Sequence, residues 1–128
     1  MLNFFRNNFI GLVWSLLAVT LSVMPGKDLP EVDIVNFDKI AHLVFYALFY
    51  IAVRFGLQRN YAISVWKVQI YAFLYTSLFG LLMEFIQGNF TADRHFDWYD
   101  AIANVLGVIL VAFMFSTITK LKYLFAKN

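Results

Sequence analysis

Long apolar runs, broken by short polar stretches, dominate this chain. Four runs, at about 4–24, 38–56, 64–88 and 97–119, come near the roughly 20 residues that an α-helix needs to cross a bilayer. Pro25-Gly26 ends the first, and Gly88-Asn89 ends the third ahead of a loop of about eight residues. A single Arg6 before an apolar run resembles a signal peptide. Ser22-Val23-Met24-Pro25 is a poor cleavage site, however, so the first run is expected to stay as an anchoring helix. The pattern predicts an all-α polytopic membrane protein: a single domain over 1–128, folded as a four-transmembrane-helix bundle.

The polar residues inside these runs are not scattered. Asp38, His42 and Tyr46 recur every four residues and share one helix face. Ser77, Gly80, Glu84 and Gln87 form a stripe at helical spacing, which suits a close helix–helix contact rather than a lipid face. Asp97, Asp100, Asn104 and Gly107 fall at i, i+3, i+7 and i+10, again on one face. The stretch from Glu84 to Gly107 carries five of the eighteen charged residues, with His95 beside them. Lipid offers no hydrogen-bond partner, so such groups must face each other, protein or water.

Convergence of Asp38, Lys39, His42, Tyr46, Glu84, Gln87, Arg94, Asp97, Asp100 and Asn104 at one end of the bundle is therefore expected. Glu84 lies about one turn inside the boundary, where it pairs with Arg94 or His42 or is protonated. Simpler readings compete. The helix macrodipole accounts for Asp38, and Arg94 could neutralise two carboxylates merely to lock the loop. The aromatic residues Phe45, Tyr46, Phe49, Tyr50, Phe73 and Tyr75 read as lipid-facing packing and interfacial belt.

Composition agrees with the pattern. The chain is 62% hydrophobic and only 14% charged, against about 25% charged for a soluble domain. A net charge of +2 gives no reason to expect nucleic acid, and the absence of cysteine excludes disulfides, thiolate metal sites and a cysteine nucleophile. The distribution of charge says more. Arg6, Arg54, Arg59, Lys67, Lys120, Lys122 and Lys127 fall at the N-terminus, the second loop or the C-terminal tail, while all eight acidic residues fall in or beside the first and third loops. The positive-inside rule then predicts a multi-pass protein of the cytoplasmic (inner) membrane, with both termini in the cytoplasm and the cluster facing outward. Few polar groups occupy the inner halves of the runs, which argues against a transport path.

The ordered set Asp38-Lys39-x-x-His42-x-x-x-Tyr46, Glu84-x-x-Gln87 and Arg94-x-x-Asp97-x-x-Asp100-x-x-x-Asn104-x-x-Gly107 resembles the VanZ-like family of small bacterial membrane proteins. That family takes its name from a teicoplanin-resistance determinant, so the resemblance implies cell-envelope physiology and lowered susceptibility to lipid-bearing glycopeptides. Two functions fit the residues. In the first, the cluster is a binding module for a polar head with a lipid tail, such as a lipid-linked peptidoglycan precursor or a lipoglycopeptide. Arg94 and Lys39 would contact a phosphate or carboxylate while the carboxylates, Gln87 and Asn104 orient the rest. In the second, the chain is a membrane hydrolase or transferase acting on a lipid phosphate. His42 would then be acid or base, Glu84 or Asp38 its orienting partner and Arg94 the charge stabiliser. No cofactor is assigned, although Asp38, His42, Glu84 and Asp97 form a set of mixed nitrogen and oxygen donors that a divalent metal could use.

Overall fold

A computed structural model describes residues 2–28, 35–60 and 63–126. Four α-helices account for most of them: α1 Leu2–Val23, α2 Phe37–Asn60, α3 Val65–Phe90 and α4 Trp98–Phe125. A single 3-10 turn, Gly26–Asp28, follows α1, and no strand occurs among the described residues. Each of the four helices is long and apolar enough to cross a membrane. The chain is a multi-pass membrane protein built as a four-helix bundle. Glu31 and Asp33 of the acidic loop, and Lys127 of the basic tail, lie outside the described residues.

Local chemistry accounts for the helix ends. Pro25 and Gly26 stop α1, whose last turn closes with Met24 N–H donating to the Thr20 carbonyl at 3.1 Å. Asn36 takes a positive φ of 58°, a conformation asparagine tolerates better than most residues, and its carbonyl accepts the Ile40 N–H at 3.1 Å. This turn aims Asp38 and Lys39 toward α4. Ser64 caps α3 through Lys67 N–H, and Asp97 caps α4 through Tyr99 N–H at 2.7 Å.

Two ends differ from expectation. Helix α2 continues past Gly56 to Asn60, and α4 past Thr119 to Phe125. Gly56 does not terminate its helix because its role is to let α1 approach. A Cβ there would meet the Asn8 side chain at 2.5 Å and the Asn7 carbonyl at 3.2 Å. Gly107 does the same for α4, since a Cβ would collide with the Leu43 carbonyl oxygen of α2. Small residues let backbones close on each other where no hydrophobic force pulls helices together.

Helices α2 and α3 form the diagonal of the bundle. Each touches the other three, whereas α1 and α4 do not meet. The shared core holds Tyr46, Phe49 and Tyr50 of α2 with Ala72 of α3 and Val108 of α4. These three aromatic residues are buried rather than lipid-facing, which corrects the belt reading for them. Edge-to-face contacts tie Phe45 to Trp14 and Phe49 to Phe79, locking the rings between helices. Tyr75 is exposed, as a belt residue should be. Only 11% of the α1 span is buried, against about a third of α2 and α3, so α1 is the peripheral element.

The polar content of the opposite end is larger than the sequence implies. Arg54, read from the sequence as a loop charge, is a buried helical residue whose guanidinium lies 4.1 Å from the centre of the Phe115 ring. Gln69 bridges to Ser116 at 2.7 Å and Thr119 at 3.4 Å nearby. The halves of α2, α3 and α4 at this end therefore do hold polar groups, which removes the basis of the argument against a transport path.

Candidate functional site

The predicted residues do come together. They lie where the start of α2, the end of α3 and the start of α4 meet, and they divide into two parts. One is an ionic knot centred on Lys39. Its Nζ donates to Asp38 Oδ2 at 2.6 Å, Asp97 Oδ2 at 2.8 Å and Asp100 Oδ1 at 2.8 Å. Three donors meet three carboxylates, so the ammonium has none left for an external anion. Lys39 is thus the cation at the centre of this knot, a role that the simpler sequence reading gave to Arg94. Its expected contact with a ligand phosphate does not fit this geometry.

Asp97 links the knot to the fold. One carboxylate oxygen binds Lys39, the other caps α4 at Tyr99 N–H, and its own N–H donates to Glu84 Oε1 at 3.0 Å. The hydrogen bonds from Lys39 and Tyr99 hold the Asp97 carboxyl below the usual carboxylate range. Glu84 is only 1% exposed. It pairs with neither Arg94 nor His42 within ion-pair distance, so two of the three expected arrangements are absent, and its acceptor contact is this backbone N–H.

The second part is a cavity of about 340 Å³ beside the knot. Of the ten predicted residues, Asp38, His42, Tyr46, Glu84, Gln87, Arg94 and Asn104 line it, whereas Lys39, Asp97 and Asp100 do not. Apolar walls come from Ala18, Leu21, Phe37, Phe45 and Met83. His42 is fixed by a 3.0 Å hydrogen bond from Nδ1 to Asn104 Oδ1. An amide oxygen only accepts, so Nδ1 donates this bond and Nε2 is left for a second partner. Gln87 and Tyr46 are each 4% exposed, and neither side chain has a hydrogen-bond partner among the described residues. Gly80 makes room for Tyr46, since a Cβ there would stand 2.9 Å from the phenol ring.

Arg94 reaches the cavity from the α3–α4 connection. Nη1 donates to the Leu21 carbonyl at the end of α1 at 3.1 Å, and no carboxylate lies within ion-pair distance among the described residues. Burial pushes its pKa down, while the charges of Glu84, Asp100 and Asp93 favour the cation. Asp93 anchors the same connection by accepting the Lys27 N–H at 3.2 Å. Backbone N–H groups of Gly26 and Lys27 hold its carboxyl below the usual range. Gln87 also contributes to the connection, through its carbonyl, which accepts the Thr91 hydroxyl.

Sequence reasoning missed two participants. Ser22 of α1 is buried and lines the cavity; a lone serine near the end of an apolar helix carries no signal of its own. Asp93 was seen only as part of a charged stretch, because its partners are backbone groups far away in sequence. Against this geometry the comparisons with known proteins are silent. No family model, curated protein or solved structure matches the chain.

Proposed function

We propose that this chain is a VanZ-like protein of the bacterial cytoplasmic membrane that binds the polar head of a lipid-tailed envelope component. One observation carries the reading. Gln87 and Tyr46, each 4% exposed and with no side-chain hydrogen bond among the described residues, share with the Arg94 guanidinium a cavity that also has apolar walls, from Ala18, Leu21, Phe37, Phe45 and Met83. Buried polar groups are normally satisfied. An arginine held by a single carbonyl keeps its planar donor edge for a phosphate or carboxylate. The apolar walls suit the first methylenes of a tail.

Counting basic residues places this end on the outer side, with both termini in the cytoplasm. A lipid-linked peptidoglycan precursor or a lipoglycopeptide has the required combination of head and tail. Binding such a ligand would alter susceptibility to teicoplanin more than to vancomycin. The direct test is binding of polyprenyl phosphate, lipid-linked precursor and teicoplanin by purified wild type, Gln87→Ala and Arg94→Ala. Tighter binding by the wild type supports the reading; equal, weak binding by all three refutes it. Expression in a glycopeptide-susceptible Gram-positive host should protect against teicoplanin alone, and Arg94→Ala at matched levels should abolish the protection.

A second reading, a hydrolase or transferase acting on a lipid phosphate, is favoured by one feature. His42 is held through Nδ1 by Asn104, so its Nε2, 4.0 Å from Asp100 Oδ2, is the nitrogen positioned for proton transfer. Release of phosphate from polyprenyl phosphates by the wild type, and not by His42→Ala, would select this reading over simple binding.

A further inference from the structure

Two acidic groups that share Asp100 stand side by side in this cluster, and Lys39 sits inside only one of them. Asp38, Asp97 and Asp100 have carboxylate oxygens within 4.8 Å of one another, and Lys39 Nζ sits among them. His42, Glu84 and Asp100 bring one donor atom each to within the same 4.8 Å; Asp100 pairs with Lys39 on its other side, and among the described residues no ammonium or guanidinium is in ion-pair contact with Glu84. We propose that His42, Glu84 and Asp100 bind a divalent transition-metal cation, between the cavity that His42 and Glu84 line and the Lys39 knot that holds Asp100. The site shares the cavity with the proposed head-group site but does not depend on lipid binding.

The donors are already oriented. Each of the three residues is held through one atom and leaves another free. His42 is fixed through Nδ1 by Asn104, Asp100 through Oδ1 by Lys39, and Glu84 through Oε1 by the Asp97 N–H. The atoms left over are His42 Nε2, Asp100 Oδ2 and the second Glu84 oxygen. Metal-ligating side chains are characteristically held this way, with outer partners fixing tautomer and angle. Nε2 and Oδ2 stand 4.0 Å apart. That is too far for a hydrogen bond, but within the span that one ion at about 2.1 Å from each can bridge. The three residues come from α2, α4 and α3, so an ion would also tie three helices together.

Charge makes an independent case. At formal charge the four carboxyl groups Asp38, Glu84, Asp97 and Asp100 face two cations, Lys39 and Arg94, a formal surplus of two negative charges. Glu84 and Asp100 are 1% and 6% exposed, so solvent does little to screen them. A divalent ion supplies the missing charge. Gln87, buried, unpartnered and lining the same cavity, offers a further oxygen or a hydrogen bond to a metal-bound water. One imidazole nitrogen with two carboxylates, in a chain without cysteine, matches zinc or manganese better than Cu(I), which selects thiolate and thioether.

The test is zinc and manganese binding to chelator-stripped protein in a detergent with an uncharged sugar head, where no lipid phosphate is present. Metal per protein and the thermal midpoint would be read for wild type, His42→Ala, Glu84→Gln and, as a control that removes an exposed carboxylate outside both acidic groups, Asp28→Asn. Glutamine keeps a carbonyl for the Asp97 N–H, so helicity by circular dichroism should match the wild type. The expected result is about one equivalent in wild type and Asp28→Asn with a raised midpoint, and affinity weakened at least about tenfold in the other two. Equal affinity in wild type and Glu84→Gln, or no binding by wild type, would overturn the proposal. Lipid binding that persists in stripped protein with no metal site would leave the head-group reading standing alone; metal binding without lipid binding would do the reverse.

Discussion

Glu84 Oε1 accepts the backbone N–H of Asp97 at 3.0 Å, joining the buried end of α3 to the residue that caps α4. The bond explains how a carboxylate that is 1% exposed can sit in an apolar helix without an ion pair. It also fixes where Asp97 points, and hence where Lys39 finds two of its three partners.

The first prediction separates this contact from the charge. Glu84→Ala leaves the Asp97 N–H without an acceptor and opens space beside the cavity, so stability should fall by about 1–3 kcal/mol. Glu84→Gln keeps an acceptor and should fall by distinctly less. Thermal unfolding in detergent, followed by circular dichroism, checks both. An alanine variant as stable as the glutamine variant would mean that the hydrogen bond does not hold the α3–α4 connection.

Lys39 gives the second prediction, with a sign that depends on pH. The folded-state pKa of Asp97 is lowered by Lys39 and Tyr99. Its contribution is therefore complete above the ordinary carboxylate value of about 3.9 and is lost as pH falls through the lower folded value. Wild type should lose stability on acidification below about pH 4. In Lys39→Met, three carboxylates face each other without a cation, so neutral pH should be the unfavourable condition. Its midpoint should rise as pH is lowered from about 7 toward 5, the opposite of what ion-pair loss on acidification does to the wild type. Midpoints measured from about pH 7 down to about pH 3 in both proteins decide the matter.

The helices and the facing of the polar residues were legible in the sequence because both follow from spacing. A 3.6-residue period places Asp38, His42 and Tyr46 on one face whatever surrounds them, and lipid forces such a face inward. Partner choice was not legible. Nothing in the order of residues distinguishes Lys39 from Arg94 as the hub. That depends on the Asn36 turn, which swings Lys39 toward α4, and on the α3–α4 connection, which carries Arg94 away to the Leu21 carbonyl. The helix ends were misplaced for a similar reason: Gly56 reads as a stop in sequence and acts as a packing surface in space.

Arg54 supplies the third prediction. The residue is 5% exposed, its Nε has no hydrogen-bond partner, and no carboxylate pairs with it among the described residues. Its contacts are a 3.1 Å hydrogen bond to Gln58 and the face of Phe115. Replacing a buried, incompletely paired charge by an apolar side chain of similar length is often neutral or stabilising. Arg54→Met should therefore match or exceed the wild-type midpoint, while Arg54→Ala, which loses the packing as well, should fall below it. A methionine variant as weak as the alanine variant would show that the guanidinium itself holds this end of the bundle together.

Orientation in the membrane is the last prediction and the one on which an outward-facing site depends. The chain has no native cysteine, so a single introduced thiol reports unambiguously. Ala92 is exposed on the α3–α4 connection, next to Asp93, and Ala126 is exposed just beyond α4. With the basic residues inside, Ala92→Cys should react with a membrane-impermeant maleimide in intact cells, whereas Ala126→Cys should react only after the membrane is opened. The reverse pattern would place the cavity on the cytoplasmic side. Glycopeptides and exported lipid-linked precursors would then be excluded as ligands, and the same head-and-tail geometry would have to serve a lipid of the inner leaflet.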